Sequence, residues 1–145
     1  MADYRRILIV VDLTEDSLPI GRRGLALAKA FGAEAELLHV VEYVPVEPLG
    51  ETLMPSVQIE DELLERARGR LAALSADLGI PATSWRVEAG NVKSEILRVA
   101  RERHADLIVL GSRERHGVSI LVNFIEDTVL HGAPCDVLAV RVGRS

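Results

Sequence analysis

One cysteine, Cys135, stands in 145 residues. That excludes an intramolecular disulfide and any zinc site built from cysteines. Lysine is almost missing: Lys29 and Lys93 face fifteen arginines, and these are scattered among Asp and Glu in a chain of net charge −5. No basic tract exists to follow a phosphate backbone, so a nucleic-acid partner is not expected. Aromatics make up only 3 %, which leaves Ala, Leu, Val and Ile to fill the core. No apolar run reaches the roughly 18 residues of a membrane span. From Met1 the chain passes straight into strand-like sequence, without the basic, apolar and small-residue regions of a signal peptide. The expectation is a cytoplasmic protein with no membrane partner. The length suits a single domain over residues 1–145.

What is present is an alternation of two periodicities. Residues 6–12 (RILIVVD), 36–41 (ELLHVV), 106–110 (DLIVL) and 137–142 (VLAVRV) are apolar runs of the kind buried on both faces of a parallel sheet. Residues 81–88, around Trp85, alternate like an edge strand. Between them, apolar positions recur at helical spacing: Ile20, Gly24, Leu27, Ala28 and Phe31; Leu63, Leu64, Ala67, Leu71, Leu74 and Leu78; Ile96, Val99 and Ala100; and Leu121, Phe124, Ile125, Thr128 and Val129. Gly32, Gly79 and Gly132-Ala-Pro134 are stops, Asn91 is a cap, and Thr14 or Ser17 can cap the first helix. Residues 42–58, with three prolines, form the longest irregular stretch. The order β-α-β-α-β-α-β-α-β predicts a doubly wound, Rossmann-like five-stranded parallel sheet with helices on both faces.

In such folds ligands bind outside the carboxyl ends of the strands, and a helix N-terminus there favours anions. Two segments are candidates. Asp12 ends the first strand. It can accept from an adenine amino group or a ribose hydroxyl, or it can cap the next turn through Thr14. The run Leu107-Ile-Val-Leu-Gly-Ser-Arg-Glu-Arg-His-Gly117 predicts a buried strand that ends in Gly111-Ser112 and a polar loop. There Arg113, Arg115 and His116 offer positive charge, and Gly117 can make a turn. No Walker A loop, G-x-G-x-x-G or G-x-S-x-G elbow is present, so Ser112 is read as a loop or phosphate contact and not as a nucleophile. His39 reads as a satisfied sheet histidine, and His104 and His131 as helix ends. No histidine pair has metal-ligand spacing. Asp12, Glu15 and Asp16 form an acidic cluster, but a phosphoryl-accepting receiver also wants a late lysine, and none follows Lys93.

Taken together, the opening Arg6-Ile-Leu-Ile-Val-Val-Asp12-Leu-Thr, the Leu38-His-Val-Val41 strand, Gly90, the Ala105-Asp-Leu-Ile-Val-Leu-Gly111-Ser block and Ala133-Pro-Cys-Asp-Val-Leu-Ala-Val140 resemble the universal stress proteins over essentially the whole chain. The resemblance implies that Asp12 and Val41 match positions flanking adenine in ATP-binding members. It implies that Gly111 and Ser112 match the start of the phosphate loop. The same members carry a signature of Gly, two residues, Gly, nine residues, Gly, then Ser or Thr. Gly111 supplies the first glycine, but Glu114, Phe124 and Ile125 stand at the other three positions. A carboxylate at 114 faces the triphosphate. At ~4 Å and an effective dielectric of about 20, two like charges repel by ~4 kcal/mol, about the difference between micromolar and millimolar binding. Phe124 and Ile125 continue an apolar stripe where a phosphate-binding helix start would be.

The resemblance is closest to the branch lacking this signature. It implies a non-enzymatic stress-response protein without a bound cofactor, dimeric through the last strand (Val137, Leu138, Ala139, Val140, Arg141 and Val142), acting through protein contacts. Two alternatives stay open. One is a switch that binds ATP with Mg. The other is a small-molecule or anion sensor using the strand-end crevice.

Overall fold

Residues Arg6–Val10 form the first strand, β1, and its central residues Ile7, Leu8 and Ile9 are 2 % exposed or less. The computed structural model describes residues 4–42, 56–81, 84–113, 129 and 131–142. In chain order, β1 is followed by α1 (Ser17–Phe31), β2 (Glu34–Glu42), α2 (Ser56–Leu78), β3 (Trp85–Gly90), α3 (Val92–Glu102), β4 (Leu107–Arg113) and β5 (Asp136–Val142). All five strands pair in parallel, in the order β3-β2-β1-β4-β5. The chain therefore winds outward from β1 on one side, then returns to β1's other side for β4. The switch point lies between β1 and β4.

Alternation along β1 divides the core. Ile7, Ile9 and Val11 pack with Ile20 and Ala28 of α1 and Ala67 and Leu71 of α2. Leu8 joins Leu38, Val40, Ile108 and Leu110 against Ile96, Val99 and Ala100 of α3, with Val129. So α1 and α2 cover one face, and α3 covers the other. The continuous apolar runs follow from burial on both faces, and each such side chain contributes ~1.5–3 kcal/mol.

Several boundaries differ from the sequence expectation: β1 stops at Val10, β2 spans Glu34–Glu42, and β3 runs Trp85–Gly90 rather than over 81–88. Helix α2 starts at Ser56 rather than Ile59; the apolar stripe begins one turn after the helix does. Strand β4 does not end at Leu110. Gly111, Ser112 and Arg113 remain in the strand, opposite Val140, Arg141 and Val142. Of the expected fourth helix, only Val129 among its inner-face residues lies within the described residues, and it is fully buried.

At the β3 edge the α3-side face is charged rather than apolar. Arg86 meets Glu36, Glu88 and Glu102 at 3.6–3.7 Å, Arg98 meets Glu88, Glu95 and Glu102 at 2.7–3.2 Å, and Arg103 meets Glu36 at 3.1 Å. Exposed pairs of this kind add little stability, about 1 kcal/mol at most. Charged side chains turned onto the sheet do, however, discourage a further strand from adding at that edge.

Helices α1, α2 and α3 each end with a backbone N–H reaching back five residues: Ala33 to Ala28, Ile80 to Ser75, and Ala105 to Ala100, at 2.8–2.9 Å. This closure requires a left-handed residue. Gly32 (φ 65°) and Gly79 (φ 73°) supply it for α1 and α2, but His104 (φ 52°) supplies it for α3. His104 thus ends α3 through its backbone conformation, where a favourable imidazole–dipole contact was expected. A β-carbon in this region costs about 1 kcal/mol or more. His104→Gly is expected to raise unfolding stability by about 1 kcal/mol in urea titrations. An unchanged or lower midpoint would contradict this account of the α3 terminus.

Candidate functional site

The crevice outside β1 and β4 is framed on one side by the turn after β1. Asp12 lies two residues beyond the strand and is exposed. Its Oδ1 accepts from the Thr14 amide (3.1 Å), the Thr14 hydroxyl (2.6 Å) and the Ser17 hydroxyl (3.3 Å). Thr14 Oγ1 accepts in turn from the Asp16 amide, and the Thr14 carbonyl accepts from the Ser17 amide. An aspartate that binds the backbone two residues on is a turn-building group. Of the two roles open to Asp12 from sequence, the structure builds the turn. Neither Thr14 nor Ser17 is the cap residue of α1; Asp16 holds that position without a side-chain cap bond.

β4 frames the other side. Gly111 is half-buried, and a β-carbon there would lie 2.6 Å from Ile20 Cδ1 and 3.4 Å from Val142 Cγ2. Its lack of a side chain lets α1 lie against the end of β4, a packing role that needs no ligand. Ser112 is half-buried beside it. Arg113 closes the strand, and Glu114, Arg115, His116, Gly117, Phe124 and Ile125 lie outside the described residues. Val41, on β2, is half-buried and packs against the α1/α2 core.

The structure adds two groups to this end of the sheet. His39 Nδ1 donates to the Val11 carbonyl at 2.8 Å. Arg70 of α2 donates to the Leu13 carbonyl. Nothing in the spacing of residue 70 marks it for this contact, because it depends on how α2 lies beside β1. Burial lowers the His39 pKa, and the Arg70 charge adds to this; the Val11 bond and the Asp12 carboxylate oppose it. Cys135 is half-buried, and its thiol is pushed up to about 11 by burial and by the neighbouring Asp136 and Asp106, the reverse of an activated nucleophile. Among the described residues no group of three or more His, Cys, Asp or Glu side chains is placed to hold a metal ion. Among the described residues no helix is long and apolar enough to cross a membrane.

A cleft of about 710 Å³ opens at the opposite, amino end of the strands, lined by Leu25, Ala28, Leu78, Ile80, Arg103 and Ala105 among others. It gathers residues from both faces of the sheet under the helix C-termini. It holds none of the candidate residues, and topology favours the carboxyl-end crevice as the ligand site.

Residues 3–141 match the universal stress protein family. The chain belongs to that family. Universal stress protein A homolog 2 of Coxiella burnetii is 35 % identical over 146 residues, covering all of both chains. Among solved structures, the universal stress protein UspA from Lactobacillus plantarum superposes with a TM-score of 0.76 at 21 % identity, over 97 % of this chain and all of that one. A universal stress protein solved in complex with cAMP superposes with a TM-score of 0.64 at 20 % identity, over 98 % of this chain and all of that one. These likenesses agree with the five-stranded parallel architecture. The family's fold thus accounts for where Asp12 and Gly111 stand, one in the turn after β1 and the other on β4, at the switch point.

The lowered pKa of His39 has a signed consequence. Just below pH 6.5, its ordinary value, the unfolded chain takes up a proton that the folded chain resists, so stability falls as pH drops through that range. His39→Gln is expected to flatten the decline between about pH 7 and about pH 5 relative to the parent chain. Parallel declines in urea unfolding series would refute this.

Proposed function

We propose that this universal stress protein is a cytoplasmic, non-enzymatic homodimer that acts through protein contacts and does not bind ATP tightly. The observation that carries the reading is the replacement of three signature positions by Glu114, Phe124 and Ile125. Two features of the crevice support it. Gly111 is accounted for by Ile20 packing, and one oxygen of Asp12 is engaged by its own turn. The two sheet edges support self-association at one side. The β3 edge carries the ion-pair cluster, whereas β5 is the other outer strand, with Val137, Leu138 and Val142 half-buried and Ala139 exposed. β5 carries its charged residues Asp136 and Arg141 near its ends, and an outer strand with an apolar, small-residue middle invites pairing with a second copy.

A nucleotide-dependent switch is the second reading, favoured by the placement of Asp12 in the turn after β1 and Gly111 on β4, on either side of the crevice. Its ligand would be ATP with Mg, or a cyclic nucleotide of the kind held by the family member solved with cAMP.

Calorimetric titration with Mg-ATP decides between them. The expected dissociation constant is weaker than about 0.1 mM, less than about 5.5 kcal/mol of binding; micromolar affinity would establish the switch. Light scattering is expected to give twice the 15.8 kDa chain mass. Ala139→Glu, which brings like charges to both sides of a two-fold strand contact, is expected to give monomers. A monomeric parent would refute the dimer, and a dimeric variant would place the contact elsewhere.

A further inference from the structure

Leu13 combines two properties that rarely meet. It is 7 % exposed, and its φ is 60°. A branched, bulky side chain does not adopt the left-handed region without being held there. Three contacts hold the backbone around it. His39 donates to the carbonyl of Val11, just before the turn. Asp12 Oδ1 accepts from the amide and hydroxyl of Thr14, just after Leu13. Arg70 donates to the carbonyl of Leu13 itself. The first contact comes from the neighbouring strand and the second from the turn. Only the third acts on Leu13's own backbone, and it comes from α2, across fifty-seven positions of sequence.

We infer that Arg70 is a positioning residue for the strand-end crevice: it fastens Leu13 in the left-handed conformation and so fixes the direction in which the Asp12 carboxylate is presented. The turn is held from outside. Asp12 binds Thr14 within the turn and the Ser17 hydroxyl at the start of α1, but neither bond acts on the backbone of Leu13. Arg70 ties the turn to α2, whose Ala67 and Leu71 are buried in the core on either side of residue 70. Displacing α2, or withdrawing the guanidinium, frees Leu13 to return to ordinary backbone, and the mouth of the crevice changes shape with it. Helix α2 is thereby a handle on the crevice, whatever ligand or partner the crevice serves.

The test is amide hydrogen exchange followed by NMR in a double-mutant cycle of Arg70→Gln and Leu13→Gly. In the parent background, R70Q is expected to speed exchange at Thr14, Asp16 and Ser17 by about tenfold or more, while Leu38 and Val109 amides keep their protection. In the L13G background the same substitution is expected to change those rates less than about threefold, because glycine takes a φ of about 60° without help. A structural bond with no positioning role would give equal effects in both backgrounds, and that result overturns the inference. Unchanged exchange in R70Q, or protection lost throughout β1 and β4, overturns it as well. If R70Q alone does not fold, folding of the double variant supports the inference, and failure of both overturns it.

Discussion

β1 is paired on both sides and buried on both faces, and the remaining elements are set against it. Its register with β2 runs from Arg6–Glu34 to Val10–Leu38, and with β4 from Ile7–Leu107 to Ile9–Val109. The register is locked at the start of the strand. Asp106 accepts from the amides of Arg5 and Arg6, the Glu34 amide donates to Arg5, and the Asp106 amide donates to Arg6. A one-residue slip would exchange the α1/α2-facing set Ile7 and Ile9 with the α3-facing Leu8. With the amino end held this way, the turn after Val10 opens between β1 and β4 at the one place where the winding direction reverses. The crevice is therefore a consequence of strand order before it is a consequence of any particular side chain.

That separation explains how a family fold can persist while its ligand end changes. The elements that make the crevice are core elements: Ile20 against Gly111, Leu13 in the α1/α2 cluster, and His39 on the Val11 carbonyl. Removing any of them would cost packing, whatever ligand the crevice takes. Each edge of the sheet has its own character in the same way. The ion pairs at β3 contribute little energy, yet they put charge across the middle of that edge, where β5 has Leu138 and Ala139.

Much of this was legible in the sequence, because the governing forces are local or periodic. The paired apolar runs, the Asn91 cap (its Oδ1 accepts from the Ser94 amide at 3.0 Å), the Gly32 stop and the edge position of Trp85 all follow from patterns within one element. The misreadings share a cause. Gly111-Ser112-Arg113 looks like a strand end because glycine and polar residues interrupt apolarity, but pairing with β5 carries β4 through them. Leu13 in a left-handed turn, His104 as the closing residue of α3 and Arg70 reaching β1 all depend on partners distant in sequence. At the candidate site, the sequence pattern placed Asp12 at the end of β1 and Gly111 near the end of β4. It could not assign Asp12 to its own turn, because Thr14 and Ser17 offer that role only once the chain bends.

The proposed function joins two statements, that the protein is a dimer and that its strand-end crevice holds no nucleotide tightly. Native mass spectrometry of the protein, purified gently and without added ligand, tests both at once. The expected species has twice the 15.8 kDa chain mass with no nucleotide adduct. A nucleotide retained at one per chain, or a species at the single-chain mass alone, would contradict the proposed function.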